Sequence, residues 1–254
     1  MNLKLALISD IHLGIDNDFV LGSSSLAALD TALSHFQELQ PDLLVDLGDR
    51  ITDSNATTDL SNMQAIKARY DSLNSAKTFL RGNHDLVPLE QQEALLGKLG
   101  NRSQDINGWH LIFLDTFNQT IEGSLDKAAL DWLEHDLAST NLPTIVFSHQ
   151  PLDGEKLLGN PIFEEAFAAH AHPKGHERAR ELIEASGKVK LAFNGHCHWS
   201  HLVQRRGLNY ISLQSLVART EKGPAGSYAF LQLSDKEMRL ELFGLERSSF
   251  HLIW

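Results

Sequence analysis

The sequence predicts an α/β domain built on a mixed β-sheet. Three observations predict it. Short apolar runs alternate with segments of helical period, most of those runs end directly in Asp, Asn or His, and the C-terminal part switches to consecutive strand patterns.

Each element follows from its residues. "LKLALIS" (Leu3–Ser9) reads as a buried strand that stops at Asp10. Leu26, Leu29, Leu33 and Phe36 recur at helical spacing, with Ser23, Ser24 or Ser25 as cap and Pro41 beyond the end. "DLLVDL" (Asp42–Leu47) is the next buried strand. A weaker helix around Leu60–Leu73 leads to a strand "KTFL" (Lys77–Leu80), and Val87–Leu99 fits a short helix. "WHLIFLD" (Trp109–Asp115) is a strand, and Ser124 is placed to cap a helix with Leu130, Leu133 and Leu137 on one face. "TIVFS" (Thr144–Ser148) follows. Residues 150–175 form a long connection broken by Pro151, Gly154, Gly159, Pro161, Pro173 and Gly175, before a helix over Glu177–Ala185 and the strand "KVKLAFN" (Lys188–Asn194). The chain closes with strands "NYISL", "SYAFLQL" and "MRLELF", the last two joined by the hairpin turn "SDKE".

Composition narrows the function. The 254 residues are expected to form a single domain, 1–254, with hydrophobic and charged content of an ordinary globular protein. A net charge of −11 argues against a long nucleic-acid groove, though not against a small phosphorylated substrate facing a local metal charge. A lone Cys197 excludes an internal disulfide and a multi-cysteine zinc site. No apolar run approaches the ~20 residues that span a bilayer, and "LKLALIS" is short for a signal-peptide core. The expectation is a cytoplasmic protein with no membrane partner. An oligomer remains open, since the C-terminal "SSFHLIW" could dock on the chain's own sheet or on another subunit.

The polar residues at the strand ends form a pattern. "SDIHLG" supplies Asp10 and His12, "LGDR" supplies Asp49, and "RGNHD" supplies Asn83, His84 and Asp85. "SHQP" supplies His149, and "NGHCHWSH" supplies His196 and His198 around Cys197. In α/β sheets ligands bind at the C-terminal strand edge, so five strands delivering such residues there point to a metal site. Each piece alone has a plainer reading, as a solvated loop, a turn or a hydrogen-bonded histidine. A mixed nitrogen and oxygen donor set without thiolate suits manganese, iron or zinc.

Taken in order, D-x-H, G-D, G-N-H-D, H and G-H-x-H resemble the calcineurin-like metallophosphoesterase family. "LDWLEHDL" after a strand ending "LDT" resembles its bacterial cyclic-nucleotide phosphodiesterase and glycerophosphodiesterase subgroup. The resemblance implies a four-layer sandwich, with two mixed sheets flanked by helices and two metal ions between them. It implies Asp10, His12 and His198 on one ion, Asn83, His149 and His196 on the other, and Asp49 bridging both. It further implies hydrolysis of a small phosphodiester (cyclic nucleotide, cyclic sugar phosphate or glycerophosphodiester) by a hydroxide bridging the ions. His84 would face the substrate and protonate the leaving oxygen, with Asn83 beside it. Asp85 either fixes the His84 tautomer or closes a turn. Phosphomonoester hydrolysis at the same site is the alternative; a non-catalytic scaffold is disfavoured because every ligand position is filled.

Several positions stay open at this level. The fourth block commonly reads His-His in this subgroup and here reads Ser148-His149. Arg50, where an apolar residue is usual, either binds a substrate phosphate or pairs with Asp53 or Asp46. His170, His172 and His176 read as solvated loop residues, and His201 as a surface or supporting residue.

Overall fold

The computed structural model describes residues 2–117, 122–165 and 167–254. Two six-stranded sheets lie face to face. The first is built from β1 (Asn2–Ile8), β2 (Leu43–Asp46) and β3 (Ala76–Phe79), which run parallel. Helices α1 (Ser25–Leu39), α2 (Ala56–Tyr70) and α3 (Leu89–Leu96) lie between and after them in the chain. The second sheet holds β4 (Arg102–Ile106) and β5 (Trp109–Leu114), then, after α4 (Lys127–Ser139), β6 (Thr144–Ser148). After α5 (His176–Ala185) come β7 (Val189–Asn194), β8 (His201–Arg205) and β9 (Leu208–Ser212), in the spatial order β4-β5-β6-β7-β9-β8. A small ribbon, β10 (Arg219–Thr220) with β11 (Gly223–Pro224), precedes the return to the first sheet. There β12 (Tyr228–Ser234), β13 (Glu237–Phe243) and β14 (Ser248–Ile253) pair antiparallel outward from β1.

The period-two pattern of the strands explains the layers. In β1, Leu3, Leu5 and Leu7 face the other sheet while Ala6 and Ile8 face α1 and α2. In β5, Trp109, Leu111 and Phe113 point inward, and Ile112 and Leu114 point to α4. Phe113, Phe147 and Phe193 stack in a row across β5, β6 and β7, with centroids 5.4 and 5.7 Å apart. Each such fully buried side chain contributes about 1.5–3 kcal/mol relative to exposure. The result is helices, sheet, sheet, helices.

Several local expectations need correcting. The cap of α4 is Asp126, whose carboxylate accepts from the Ala129 N–H at 2.8 Å, and not Ser124, which lies in extended chain two residues earlier. Ser24 occupies the cap position of α1 without a side-chain cap bond, because the chain enters through a 3₁₀ turn, Gly22–Ser24. The C-terminal "SSFHLIW" forms the edge strand β14, and Trp254 tilts against Trp109 at 5.7 Å.

Candidate metal centre

The parallel strands of both sheets end at one rim. Hydrogen bonds tie the loops that leave them. Asp10 N–H donates to Gly48 O and His12 N–H to Asp49 O, both at 3.0 Å, and Gly195 N–H donates to His149 O at 3.0 Å. Across the sheets, the His196 N–H donates to Asp10 Oδ2 at 3.0 Å.

The chain bends sharply to aim these side chains. Asp10, His12, Asp49, His196 and His198 have φ of 53°, 47°, 56°, 67° and 49°, the left-handed region that L-residues seldom occupy. Such backbone costs of order 1–3 kcal/mol per residue and persists at functional sites because the surroundings hold it. Close approach is made possible by glycine at two points. A Cβ on Gly82 would lie 2.1 Å from Asp49 Oδ1, and one on Gly195 would lie 1.8 Å from Ser9 Oγ.

Two groups of donors result, Asp10 with His12 and His198, and Asp49 with His149 and His196. In the first, His12 Nε2 lies 3.0 Å from His198 Nε2, which is 3.3 Å from Asp10 Oδ1. In the second, His149 donates Nδ1–H to Leu47 O at 2.9 Å, which turns the Nε2 lone pair inward. That lone pair faces Asn83 Oδ1 at 3.1 Å and Asp49 Oδ2 at 3.2 Å. Three acceptors so close repel one another unless a cation or a proton lies among them. His196 likewise gives Nε2–H to His170 O at 2.9 Å, leaving Nδ1 as its donor atom. Asp49 Oδ1 accepts the His84 N–H at 2.8 Å, while Oδ2 lies 3.7 Å from His12 and 3.2 Å from His149, between the groups. The buried oxygen and imidazole donors therefore fit two metal ions.

Electrostatics agree with that reading. Burial works against ionisation of Asp10 and Asp49, yet the neighbouring histidines hold Asp10 down at about 2 and Asp49 well below the usual carboxylate range. Burial, helped by His198 and His149 respectively, pushes His12 and His196 down to about 3, so both are neutral and free to ligate. Burial opposes a charge on His149, but Asp49 and Asp10 raise it to about 9. The rim attracts positive charge.

His84 stands over the groups without joining either. Its ring meets that of His12 edge-on at 5.1 Å, and its Nδ1 bonds Asp53 Oδ1 at 2.5 Å. Burial is again outweighed, here by the charge of Asp49 and the bond to Asp53, and His84 is raised to about 9. Asp53 is thus the carboxylate that orients His84. The sequence reading missed it, although "GDRITD" places it only four residues after Asp49.

Asp85 and Arg50 take the structural alternatives rather than the catalytic and substrate-binding ones. Asp85 is fully buried and does not touch the His84 ring. It accepts from the Gly82, Asp49 and Arg50 N–H groups at 3.0, 3.1 and 2.9 Å, closing the turn. Arg50 is also fully buried and cannot reach a substrate. Its guanidinium donates to Asp85 Oδ2 at 2.8 Å, Leu80 O at 2.8 Å and Asp46 Oδ1 at 3.2 Å. Together these bonds lock the loops that carry Asp49 and Asn83.

The long 150–175 connection folds back over the rim. Asn160 Nδ2 donates to Cys197 O at 2.9 Å, and His170 supplies the carbonyl that holds His196. Its histidines, and His176 just beyond it, are half-buried and bonded rather than freely solvated. His170 lines the cavity, His172 bonds Asp153 at 3.0 Å, and His176 opens α5 with Nδ1 on Pro173 O at 2.9 Å. Cys197 points away from the groups into an apolar cluster with Leu157 and Phe163, and His201 stacks on Trp199 at 4.5 Å. Ser148, where a second histidine is usual, donates to Gln150 O at 2.8 Å. The cavity is also lined by Phe19 and Phe167, whose role composition gave no reason to suspect.

The calcineurin-like phosphoesterase profile matches residues 3–200, and the chain belongs to that family. A Synechococcus protein described as a "probable cyclic nucleotide phosphodiesterase" is 25% identical over 99% of this chain and 96% of its own. A Fibrobacter succinogenes protein with the same description is 30% identical over 80% of this chain and 75% of its own. The crystal structure of a dimetal phosphatase from Danio rerio superposes with a TM-score of 0.81 at 14% identity, covering 99% of both chains, and so shares the fold. The protein is accordingly a metal-dependent phosphoric ester hydrolase.

Proposed function

We propose that this chain is a two-metal phosphodiesterase that hydrolyses a small phosphodiester, with residues 1–254 acting as one catalytic domain. The observation that carries the proposal is Asp49 Oδ2 between two histidine groups, 3.7 and 3.2 Å from their nearest nitrogens, with His84 above it. Asp10, His12 and His198 would hold one ion, Asn83, His149 and His196 the other, and Asp49 both. Manganese, iron or zinc suits this donor set. When bound, such a pair supplies Lewis acidity at phosphorus and acidifies coordinated water.

The chain's own residues supply the rest. His84 keeps one N–H on Asp53, so Nε2–H is the donor it offers to the leaving oxygen. Asp53 acts on the reaction through that ring, as a positioning residue. The 150–175 connection covers the rim and limits water. A diester is favoured over a monoester by charge. No lysine or arginine lies among the described residues lining the cavity, so beyond the ions and His84 the chain offers no further cationic side chain to a second phosphate charge. The Synechococcus and Fibrobacter relatives carry probable cyclic nucleotide phosphodiesterase descriptions, which supports the same reading. The C-terminal strands β12–β14 complete the first sheet, which supports one domain. A cytoplasmic site of action suits the lone, unpaired Cys197; no helix among the described residues is long and apolar enough to cross a membrane.

The test is turnover of bis(p-nitrophenyl) phosphate against p-nitrophenyl phosphate by protein stripped and reloaded with each metal. The diester should be preferred, and His84→Asn should lower its kcat about 10²–10⁴-fold with both ions retained. A preferred monoester moves the activity to a phosphatase, and an unimpaired His84→Asn variant removes the proposed acid.

A further inference from the structure

Phe19 and Phe167 are 42% and 40% exposed, yet they sit on opposite loops of the cavity that holds the metal ligands. Their rings meet edge to face, with centroids 6.4 Å apart. Behind them Phe163, 8% exposed, lies 6.5 Å from Phe167 and 4.8 Å from the ring of His196. A wall of aromatic rings therefore runs from a candidate metal ligand to the mouth.

The loops are braced, so the rings are held in place rather than stranded. Asn17 Oδ1 accepts from the Phe19 and Val20 N–H groups at 2.8 and 2.9 Å, and the Arg219 N–H donates to Phe19 O at 2.8 Å. On the other side the His170 N–H donates to Phe167 O at 2.8 Å, while the His170 carbonyl accepts from His196. Holding exposed apolar rings on rigid chain is unfavourable in water and reduces the cost of binding something flat. The wall also carries polar atoms. Asn17, exposed at the mouth with its oxygen already taken by the Phe19 and Val20 N–H groups, offers its amide N–H₂. A hydrocarbon tail would cover that amide without pairing it, whereas a ring nitrogen of a heterocycle can accept from it.

We propose that Phe19 and Phe167 form a stacking platform for a planar heteroaromatic ring on the substrate, which makes nucleotide-like diesters the preferred class over glycerol diesters. The idea rests on the phosphodiesterase reading. Aromatic stacking on a base is strong enough for about a ten-fold change on removing one ring.

The metal-reloaded protein is assayed with 3′,5′-cyclic AMP and with glycerophosphoethanolamine, and binding of AMP is measured by calorimetry. Phe19→Ala and Phe167→Ala should each lower the ratio of kcat/KM for the two substrates about ten-fold, through KM for the cyclic nucleotide. Each should weaken AMP to the same degree. Phe167→Trp should restore both readouts and Phe167→Leu should not. An unchanged ratio in both alanine variants, or full restoration by Leu, overturns the platform. If neither diester is hydrolysed but AMP binds and each alanine variant weakens it, the platform stands and the phosphodiesterase reading fails.

Discussion

The two proposed ion-binding groups use similar side chains but are fastened differently. In the group of His149 and His196, each imidazole gives one N–H to a main-chain carbonyl, Leu47 and His170, both at 2.9 Å. Such carbonyl partners fix ring orientation and raise ligand basicity. In the group of Asp10, His12 and His198, no carbonyl among the described residues does this for the rings. His12 Nδ1 has only the Thr52 hydroxyl at 3.5 Å, and His198 Nδ1 is buried with no partner. The His198 side chain is 11% exposed, against 1% for His149. Both groups reach the cavity, but the carbonyl-fastened one is rooted through His149 in the floor of the sandwich, whereas His198 lies at the cavity wall. The difference teaches that similar donor sets need not have similar affinity, and it predicts a tight ion beside an exchangeable one.

The largest expected effect comes from the residue that the groups share. Asp49→Asn removes the charge between them and should cost both ions and at least ~10³-fold in kcat, on the scale of two-metal catalysis. Metal content by mass spectrometry and turnover of the diester check this together. Retention of two ions would show that Asp49 is dispensable as a bridge. Next in size is the split itself. Chelation of the loaded protein should release metal in two phases. His198→Ala should abolish the fast phase and His149→Ala the slow one. Release in a single phase, unaffected by which histidine is removed, would erase the proposed difference.

The floor group also depends on a buried salt-bridge network, which can be broken without touching a ligand. Arg50→Met leaves Asp46 and Asp85 buried without their cationic partner, though each keeps its other hydrogen bonds. Breaking such a pair costs about 3–5 kcal/mol, or a fall in Tm of roughly 10 °C for a chain of this size. Because Asp85 holds the main chain of Asp49 and Gly82, the slow phase of metal release should accelerate more than the fast one. Thermal melting and the same chelation assay check both parts. A variant as stable as the wild type would mean that Asp46 and Asp85 find other partners.

How much of this was legible in the sequence follows the same division. The core strands were readable because buried parallel strands are continuous apolar runs, as in β2, β6 and β7. Edge strands β4 (RSQDI) and β8 (HLVQR) were not, since half-exposed polar segments resemble loops. The chemical residues were readable because short motifs place them at strand ends. Their orienting partners were less so. Asp53 and the carbonyl of His170 come from chain that carries no motif, the carbonyl of Leu47 is a main-chain atom that its side chain does not mark, and Arg50 resembles a substrate donor until its burial is seen. The half-exposed Phe19 and Phe167 pair, on loops far apart in sequence, has no local signal at all.

The smallest effect separates the pH response of the fold from that of the ion groups. His110 lies at the start of β5, the edge opposite the metal centre, with Nδ1 2.6 Å from Asp105 and Nε2 2.8 Å from Asp136. Burial disfavours its charge, but the bonds to Asp136 and Asp105 win and raise it above the ordinary 6.5. Only the imidazolium can donate to both carboxylates; the neutral ring turns a lone pair toward one of them. Its stabilisation is therefore complete below about pH 6.5 and is lost as pH rises through the higher folded value. Asp105 is 62% exposed and screened, so Asp136, at 12%, carries most of the effect. A difference of about 1 kcal/mol between charged and neutral bonds corresponds to 2–4 °C in Tm. His110→Gln should remove that alkaline fall in Tm while leaving diester turnover and both phases of metal release unchanged. If the fall persists in the variant, the pH dependence of stability originates elsewhere, and the metal rim, with its buried histidines and carboxylates, is where to look for it.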